Sequence, residues 1–337
     1  MMDSTRLESL RKPSNLVPVV LLVLLACVPF GAQAAGESFW ISFFGRIIIY
    51  AIAATALNLA LGFGGLVSLG HALFLGIGAY SVAIPSFHEI GNGWVHLGIC
   101  VAACTLVGLL TGAVSLRTKG IGFIMITLAF AQMGYFVFVS LKQYGGDDGT
   151  PISFTSEFFG VNLGQAVPLY TVSLVLLCVL LWWSARLRVA PFGMVLRGAR
   201  ENARRINAIG FRSTRYQLAA YVVSAVLCGI AGMLLANLTA FASPSTLSWI
   251  VSGDLIVMIV LGGLGTVFGP FLGALVFLGA EEVLKSITES WQAVFGLAIF
   301  LIALLRTPGI AGLLAKLGRT QPKPVPVAPL HVVKEHA

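Results

Sequence analysis

Few side chains in this 337-residue protein can carry charge, only 10% of the total, and the basic ones gather in one place. The stretch from Arg186 to Arg215, "RLRVAPFGMVLRGARENARRINAIGFRSTR", holds eight arginines and a single acid, Glu201. A guanidinium keeps its proton at any ordinary pH, so this cluster is suited to binding anions, headgroups or an acidic protein surface and not to acid–base catalysis. Elsewhere the chemically capable groups are isolated. Asn58, Ser68, His71, Thr127 and Gln132 sit singly among apolar residues, and Asp147 and Asp148 lie side by side in "GGDDGT".

No stretch matches the phosphate-cradling G-x-x-x-x-G-K-[ST], the zinc-binding H-E-x-x-H or the nucleophile turn G-x-S-x-G. The chain is therefore read as non-catalytic, and any ATP that drives it must be hydrolysed on another chain. Two adjacent carboxylates are too few for a calcium cage. The five cysteines, Cys27, Cys100, Cys104, Cys178 and Cys228, all fall within apolar runs and read as buried small side chains, with no disulfide or metal site expected.

What must position these residues is a set of membrane helices. The chain is 58% hydrophobic with 38 glycines, and its mean hydropathy is +0.94. A soluble domain of that composition would leave apolar side chains in water. Continuous apolar runs without period-2 alternation predict an all-α polytopic protein. Ten spans are expected, at 16–35, 39–61, 71–87, 97–116, 121–141, 168–185, 217–241, 247–265, 268–288 and 291–306. The glycine-rich stretch Leu57 to Tyr80 reads as either two spans or one broken element.

With a cytoplasmic N-terminus (1–15), ten crossings place on that side every lysine and arginine except Arg46, Lys142 and Lys285. The net charge of +8 then reports topology, and no nucleic-acid module accompanies it. The first span also reads as a cleavable signal peptide ending at "AQA", Ala32 to Ala34, which would leave nine spans without moving any later loop. Asp254, Glu281 and Glu282 fall toward outer ends in this topology, so the span interiors read as nearly uncharged, which disfavours ion coupling. Residues 307–337 read as a proline-rich cytoplasmic tail, of which "TQPKPVPVAPLHVVKEHA", Thr320 to Ala337, is expected to be extended with no fold of its own.

Within the arginine stretch, Phe192, Leu196, Ala199, Ala203, Ile206 and Gly210 recur at helical spacing, with Arg197, Arg200, Arg204 and Arg205 around the remaining surface. Pro191 suits a helix start and Gly210 a left-handed end. An amphipathic cytoplasmic helix is predicted. It could rest on headgroups, but its taper to Ala199 and Ala203 fits better a ridge seated in a partner's groove, ringed by arginines.

Five stretches in order, "LNLALGFGGLVSLGHALFLGIGAY", "GIGFIMITLAFAQMGY", "GGDDGT", "RENARRINAIG" and "LIVMIVLGGLGTVFGPFLGA", carry a resemblance. From about Ala56 to Leu314 the chain resembles the permease subunits of bacterial branched-chain amino-acid ABC importers, in particular the LivM-like member of the permease pair. The resemblance implies an inner-membrane subunit that works with ABC ATPase subunits, a second LivH-like permease and a periplasmic amino-acid-binding protein, within the lipid bilayer. ATP and magnesium would sit on the partner ATPase, with no cofactor or metal on this chain. It further implies that the loop at 186–215 holds the ATPase-coupling helix, with Met194, Leu196, Arg197, Ala199, Arg200, Glu201, Ala203, Arg204, Ile206 and Gly210. Of the importer signature E-A-A followed by glycine, Glu201, Ala203 and Gly210 are present and Asn202 replaces the middle alanine.

On this reading the substrate zwitterion passes by alternating access along an uncharged path. Asn58, Ser68, His71, Thr127 and Gln132 are its candidate wall residues, although a histidine bonded to a freed backbone carbonyl is the blander role for His71. Asp147 and Asp148 are candidate contacts for the binding protein, or simply turn residues. Gly265, Gly269 and Gly273 are helix-packing residues, within the chain or at a permease seam. The stretches around Gly64 and Gly263 look faintly alike, but an inverted repeat is not expected because the topology places both on one side. Urea or amide permeases of the same superfamily, and a carrier that needs no ATPase, remain the alternatives.

Overall fold

The computed structural model describes residues 13–35, 38–288, 290–304 and 309–317. Its helices are α1 (Pro13–Ala35), α2 (Ser38–Asn58), α3 (His71–Phe87), α4 (Gly93–Ser115), α5 (Ile121–Ser140) and α6 (Ala166–Val189). They continue as α7 (Pro191–Ala208), α8 (Ser213–Thr239), α9 (Trp249–Gly262), α10 (Gly269–Ile287), α11 (Trp291–Leu304) and α12 (Gly309–Leu317). All ten predicted spans are helical and α7 is the predicted amphipathic helix. Among the described residues five helices are long and apolar enough to cross a bilayer, namely Phe39–Phe63, Gly93–Ser115, Ile121–Ser140, Ala166–Val189 and Ser213–Thr239. Three further predicted spans hold shorter apolar stretches, Leu16–Pro29, His71–Phe87 and Trp249–Gly262. Ahead of the stretch expected to be extended, Gly309–Leu317 is a helix packed against α1, α9 and α10. Residues 1–12 and 318–337 lie outside the described residues, as do the basic side chains Arg6, Arg11, Lys12, Arg306, Arg319, Lys323 and Lys334 placed there or nearby.

Burial sorts the helices into an inner and an outer set. The most apolar window of α2 and its continuation to Phe63 is 83% buried, against 17% for α5. The helix α2 packs on α6, α8 and α10, while α3 and α4 pack on α8. Residues of α5 such as Ile121, Met125, Met133 and Phe136 point outward, as lipid would require of an apolar helix with few buried neighbours.

Small residues allow the inner helices to touch. A Cβ at Gly78 would collide with the Gly229 carbonyl, and one at Gly232 with the Leu75 carbonyl, so α3 and α8 cross backbone to backbone. Gly269 and Gly273 play the same part between α10 and α9: a Cβ on Gly273 would meet the Met258 carbonyl. Of the two packing readings, the one inside a single chain is what these glycines serve. Cys100, Cys104 and Cys228 are buried as expected, but Cys27 and Cys178 are exposed, because they fall on outward faces of α1 and α6. Among the described residues no group of three or more His, Cys, Asp or Glu could hold a metal.

Two short sheets close the end of the molecule farthest from α7. The strand β1 (Thr150–Pro151) pairs antiparallel with β4 (Phe241–Ala242), and β2 (Glu157–Phe158) with β3 (Val161–Asn162). His96 anchors this cap. Its Nε2 donates to the Ile90 carbonyl at 2.9 Å, which leaves Nδ1 to accept from the Ser156 hydroxyl at 2.8 Å. Asn237 of α8 accepts from the Ser156 amide at 2.8 Å and donates to its hydroxyl at 3.0 Å.

Replacing Gly78 or Gly232 by valine forces α3 and α8 apart, at a cost of at least about 1–3 kcal/mol each. The expected outcome is loss of the monodisperse peak in detergent size-exclusion chromatography. Gly98→Val, at a position with nothing within 4 Å, should elute unchanged.

Candidate functional site

The site lies where two helices break near α7. The first break follows α2, which widens into a π-helical turn at Leu59–Phe63 before the chain loses helical form. Gly65 there takes φ of 69°, a left-handed conformation costly to any residue with a Cβ. The second break separates α9 from α10 and contains Gly265 at φ of 74°. The two breaks touch: a Cβ on Gly62 would lie 2.9 Å from the Gly265 Cα.

Breaking a helix in an apolar medium strands backbone groups, and side chains of neighbouring helices take them up. The Leu69 amide donates to the Thr127 hydroxyl at 3.2 Å and the Gly70 amide to the Ser68 hydroxyl at 3.1 Å. Ser252 of α9 accepts from the Ala72 amide at 2.8 Å, at the first turn of α3. Asn58 bridges the breaks: its Oδ1 accepts from the Gly265 amide at 3.1 Å and its Nδ2 donates to the Thr266 carbonyl at 2.9 Å. The Ser224 hydroxyl donates to the Ala56 carbonyl at 2.6 Å, so the 2.8 Å contact with His71 is a donation from Nε2. His71 Nδ1 has no partner among the described residues.

These bonds show what the candidate path-wall residues do in this structure. Asn58, Ser68, His71 and Thr127 are all buried within the chain, engaged in joining helices. Only Gln132 of the five is partly exposed. The physical reason is that each sits beside a broken backbone whose polar groups no water reaches. Ser252, Ser224 and Thr266 belong to the same set and were not singled out from the sequence, since an isolated serine or threonine in an apolar run carries no signal of the partner it will meet.

The helix α7 is keyed into the first break. Arg200 Nη1 donates to the Gly62 carbonyl, and the Arg200 stem lies where a Gly65 side chain would be. Leu196 is fully buried with Leu59, Phe63 and Ala220, and Ala199 is 5% exposed. The predicted stripe thus faces the chain's own core over its first half, and the small residue at 199 permits this approach. Leu196 and Ala199 are anchors in this structure and present no ridge outward. Met194, Arg200, Glu201, Arg204 and Arg205 are exposed, and Ala203 and Ile206 partly so.

The single lever is also revised. Asn202 has φ of −153° and ψ of 93°, which divides α7 into two pieces. Its side-chain oxygen accepts from the Arg205 amide at 3.0 Å, as an N-cap of the second piece. Pro191 begins the first piece and Gly210, at φ of 101°, follows the second, both as predicted.

At the far end, Asp147 and Asp148 are exposed, with Asp147 Oδ1 accepting from the Tyr135 hydroxyl at 3.4 Å. The acids of α9 and α10 lie toward the ends of their helices that are farther from α7, where they were expected. At 1.5 Å per residue, Asp254 stands ~8 Å from the start of α9 and Glu281 ~9 Å from the end of α10.

The family described as branched-chain amino acid transport system / permease component matches residues 39–304. The chain belongs to this family. It is similar to the high-affinity branched-chain amino acid transport system permease protein LivM of Salmonella typhimurium, 27% identical over 317 residues that cover 87% of this chain and 73% of the relative. The LivH permease protein of Escherichia coli is 24% identical over 78% of this chain and 91% of its own length. A fructose import permease protein, FrcC of Rhizobium meliloti, is 26% identical over 77% of this chain and 75% of its own. No solved structure matches. The protein is a LivM-like, multi-pass membrane permease, and the joined breaks beneath α7 lie within its matched region.

In this permease, Asn58→Ala leaves the Gly265 amide and Thr266 carbonyl without their partner, and Ser252→Ala does the same to the Ala72 amide. Each should cost about 1–3 kcal/mol. The midpoint of thermal unfolding in detergent, followed by light scattering, should fall for both, while Ser140→Ala, at an exposed position, leaves it unchanged.

Proposed function

We propose that this permease is the membrane subunit of an ATP-driven importer that moves branched-chain or related neutral amino acids across the bacterial inner membrane by alternating access. In this reading the arginine-rich α7 end faces the cytoplasm, as the distribution of lysine and arginine favours. The partners are a pair of ABC ATPase subunits bearing ATP and magnesium, a second, LivH-like permease, and a periplasmic amino-acid-binding protein.

One observation carries the mechanism: Arg200 on α7 is bonded to Gly62, in the break that Asn58 ties to the break at Gly265. A displacement of α7 is therefore delivered to the ends of four membrane helices at once, α2, α3, α9 and α10. The exposed second piece, with Arg204 and Arg205, is the surface offered to the ATPase. Leu196 and Ala199 hold the first piece to the membrane domain. At the opposite end Asp147 and Asp148 are available to a docking protein. Amino acid rather than sugar is the favoured substrate, because the LivM relative is matched over 87% of this chain and the fructose permease over 77%.

Co-expression with the ATPases, the second permease and the binding protein tests this. Arg204→Glu with Arg205→Glu should reduce co-purified ATPase by roughly ten-fold or more, since like-charge or mismatched contacts cost several kcal/mol, while the permease stays monodisperse. Arg200→Ala should retain the ATPase but lower ATP-dependent leucine uptake into proteoliposomes. Full uptake by the permease alone, without ATP, would overturn the proposal.

A further inference from the structure

A cavity of about 300 Å³ opens between α2, α9, α10 and α11, away from α7. Its polar wall is made by Arg46, Tyr50, Asp254, Glu281 and Gln292. Glu281 is taken by Lys285 at 2.5 Å, with Arg46 at 3.9 Å. The Arg46 guanidinium lies 5.7 Å from the Tyr50 ring centroid, and its side chain is 42% exposed. Asp254 has neither an ion-pair nor a hydrogen-bond partner among the described residues. Met258 and Phe277 line an apolar side of the same space.

Counted along the helices, Arg46, Asp254 and Glu281 stand ~8–12 Å inside the ends of α2, α9 and α10 that lie farther from α7. Ionisable side chains at that depth do not face lipid; they line a water-filled or ligand-filled space. A purely structural charge cluster would be packed and mutually satisfied. Here the Asp254 carboxyl is left over and lines the cavity, whose volume is at the lower end of the range for small-molecule sites. Positive and negative groups at one end with apolar walls at the other match a molecule with both charges on one carbon and an aliphatic side chain.

We propose that this cavity binds an α-amino acid in transit, Arg46 taking the carboxylate, Asp254 the ammonium group, and Met258 and Phe277 the aliphatic side chain. This rests on the amino-acid importer reading above and adds to it a charged site within the membrane, where the sequence had pointed to an uncharged path.

The test uses the complete complex in proteoliposomes with binding protein outside, and labelled L-leucine and L-valine as probes. Uptake is normalised to assembled complex measured by size exclusion. Asp254→Asn and Arg46→Gln should each lower leucine uptake by roughly ten-fold or more, the scale of a lost charge-assisted bond, with partial rescue by Asp254→Glu. Phe277→Trp, which fills the apolar side, should lower the leucine-to-valine uptake ratio several-fold, a readout that loss of assembly does not move. If the wild-type complex transports both amino acids and all these variants keep wild-type uptake and ratio, the site is overturned while the importer reading stands. If the wild-type complex transports neither, the importer reading falls, and this inference with it.

Discussion

A backbone amide or carbonyl inside a bilayer must find its partner within the protein. In most of this permease unbroken helices meet that requirement. Where α2 gives way before α3, and α9 before α10, they do not, and the burden passes to Asn58, Ser68, Thr127, Ser252 and Thr266. The arrangement of the inner helices follows. The donors and acceptors must reach the stranded groups, so α5 and α9 have to approach the start of α3, and α2 has to lie beside the α9–α10 turn. Glycines at 78, 232, 262 and 273 allow the helices to come that near.

The same constraint explains why α7 is tied to this place. A widened π turn leaves the Gly62 carbonyl outside the regular ladder, and the Arg200 guanidinium, an obligate donor, satisfies it. The side chain crosses Gly65, where a Cβ would block its stem. One arginine thus serves two roles: it completes a membrane helix and it fastens the loop that follows α6.

The sequence made the helices, their order and the amphipathic α7 legible, because each is written in local composition and period. Pro191 and Gly210 marked the ends of α7 for the same local reason. The roles of Asn58, Ser68, His71 and Thr127 were legible only as alternatives. A polar residue in an apolar run serves either a pathway or a neighbouring backbone, and the partner is set by residues such as Gly265 or Ser224 that lie far along the chain. The buried face of Leu196 and Ala199 was misassigned outward because periodicity defines a stripe without saying what covers it.

The division of α7 at Asn202 falls between its buried and exposed halves. Anything that pushes on the distal half therefore reaches the membrane helices through a spring in series with a rigid mount. Stroke is shared between joint and load, and the compliance of one extended residue sets how much of a partner's travel arrives at the Gly62 carbonyl.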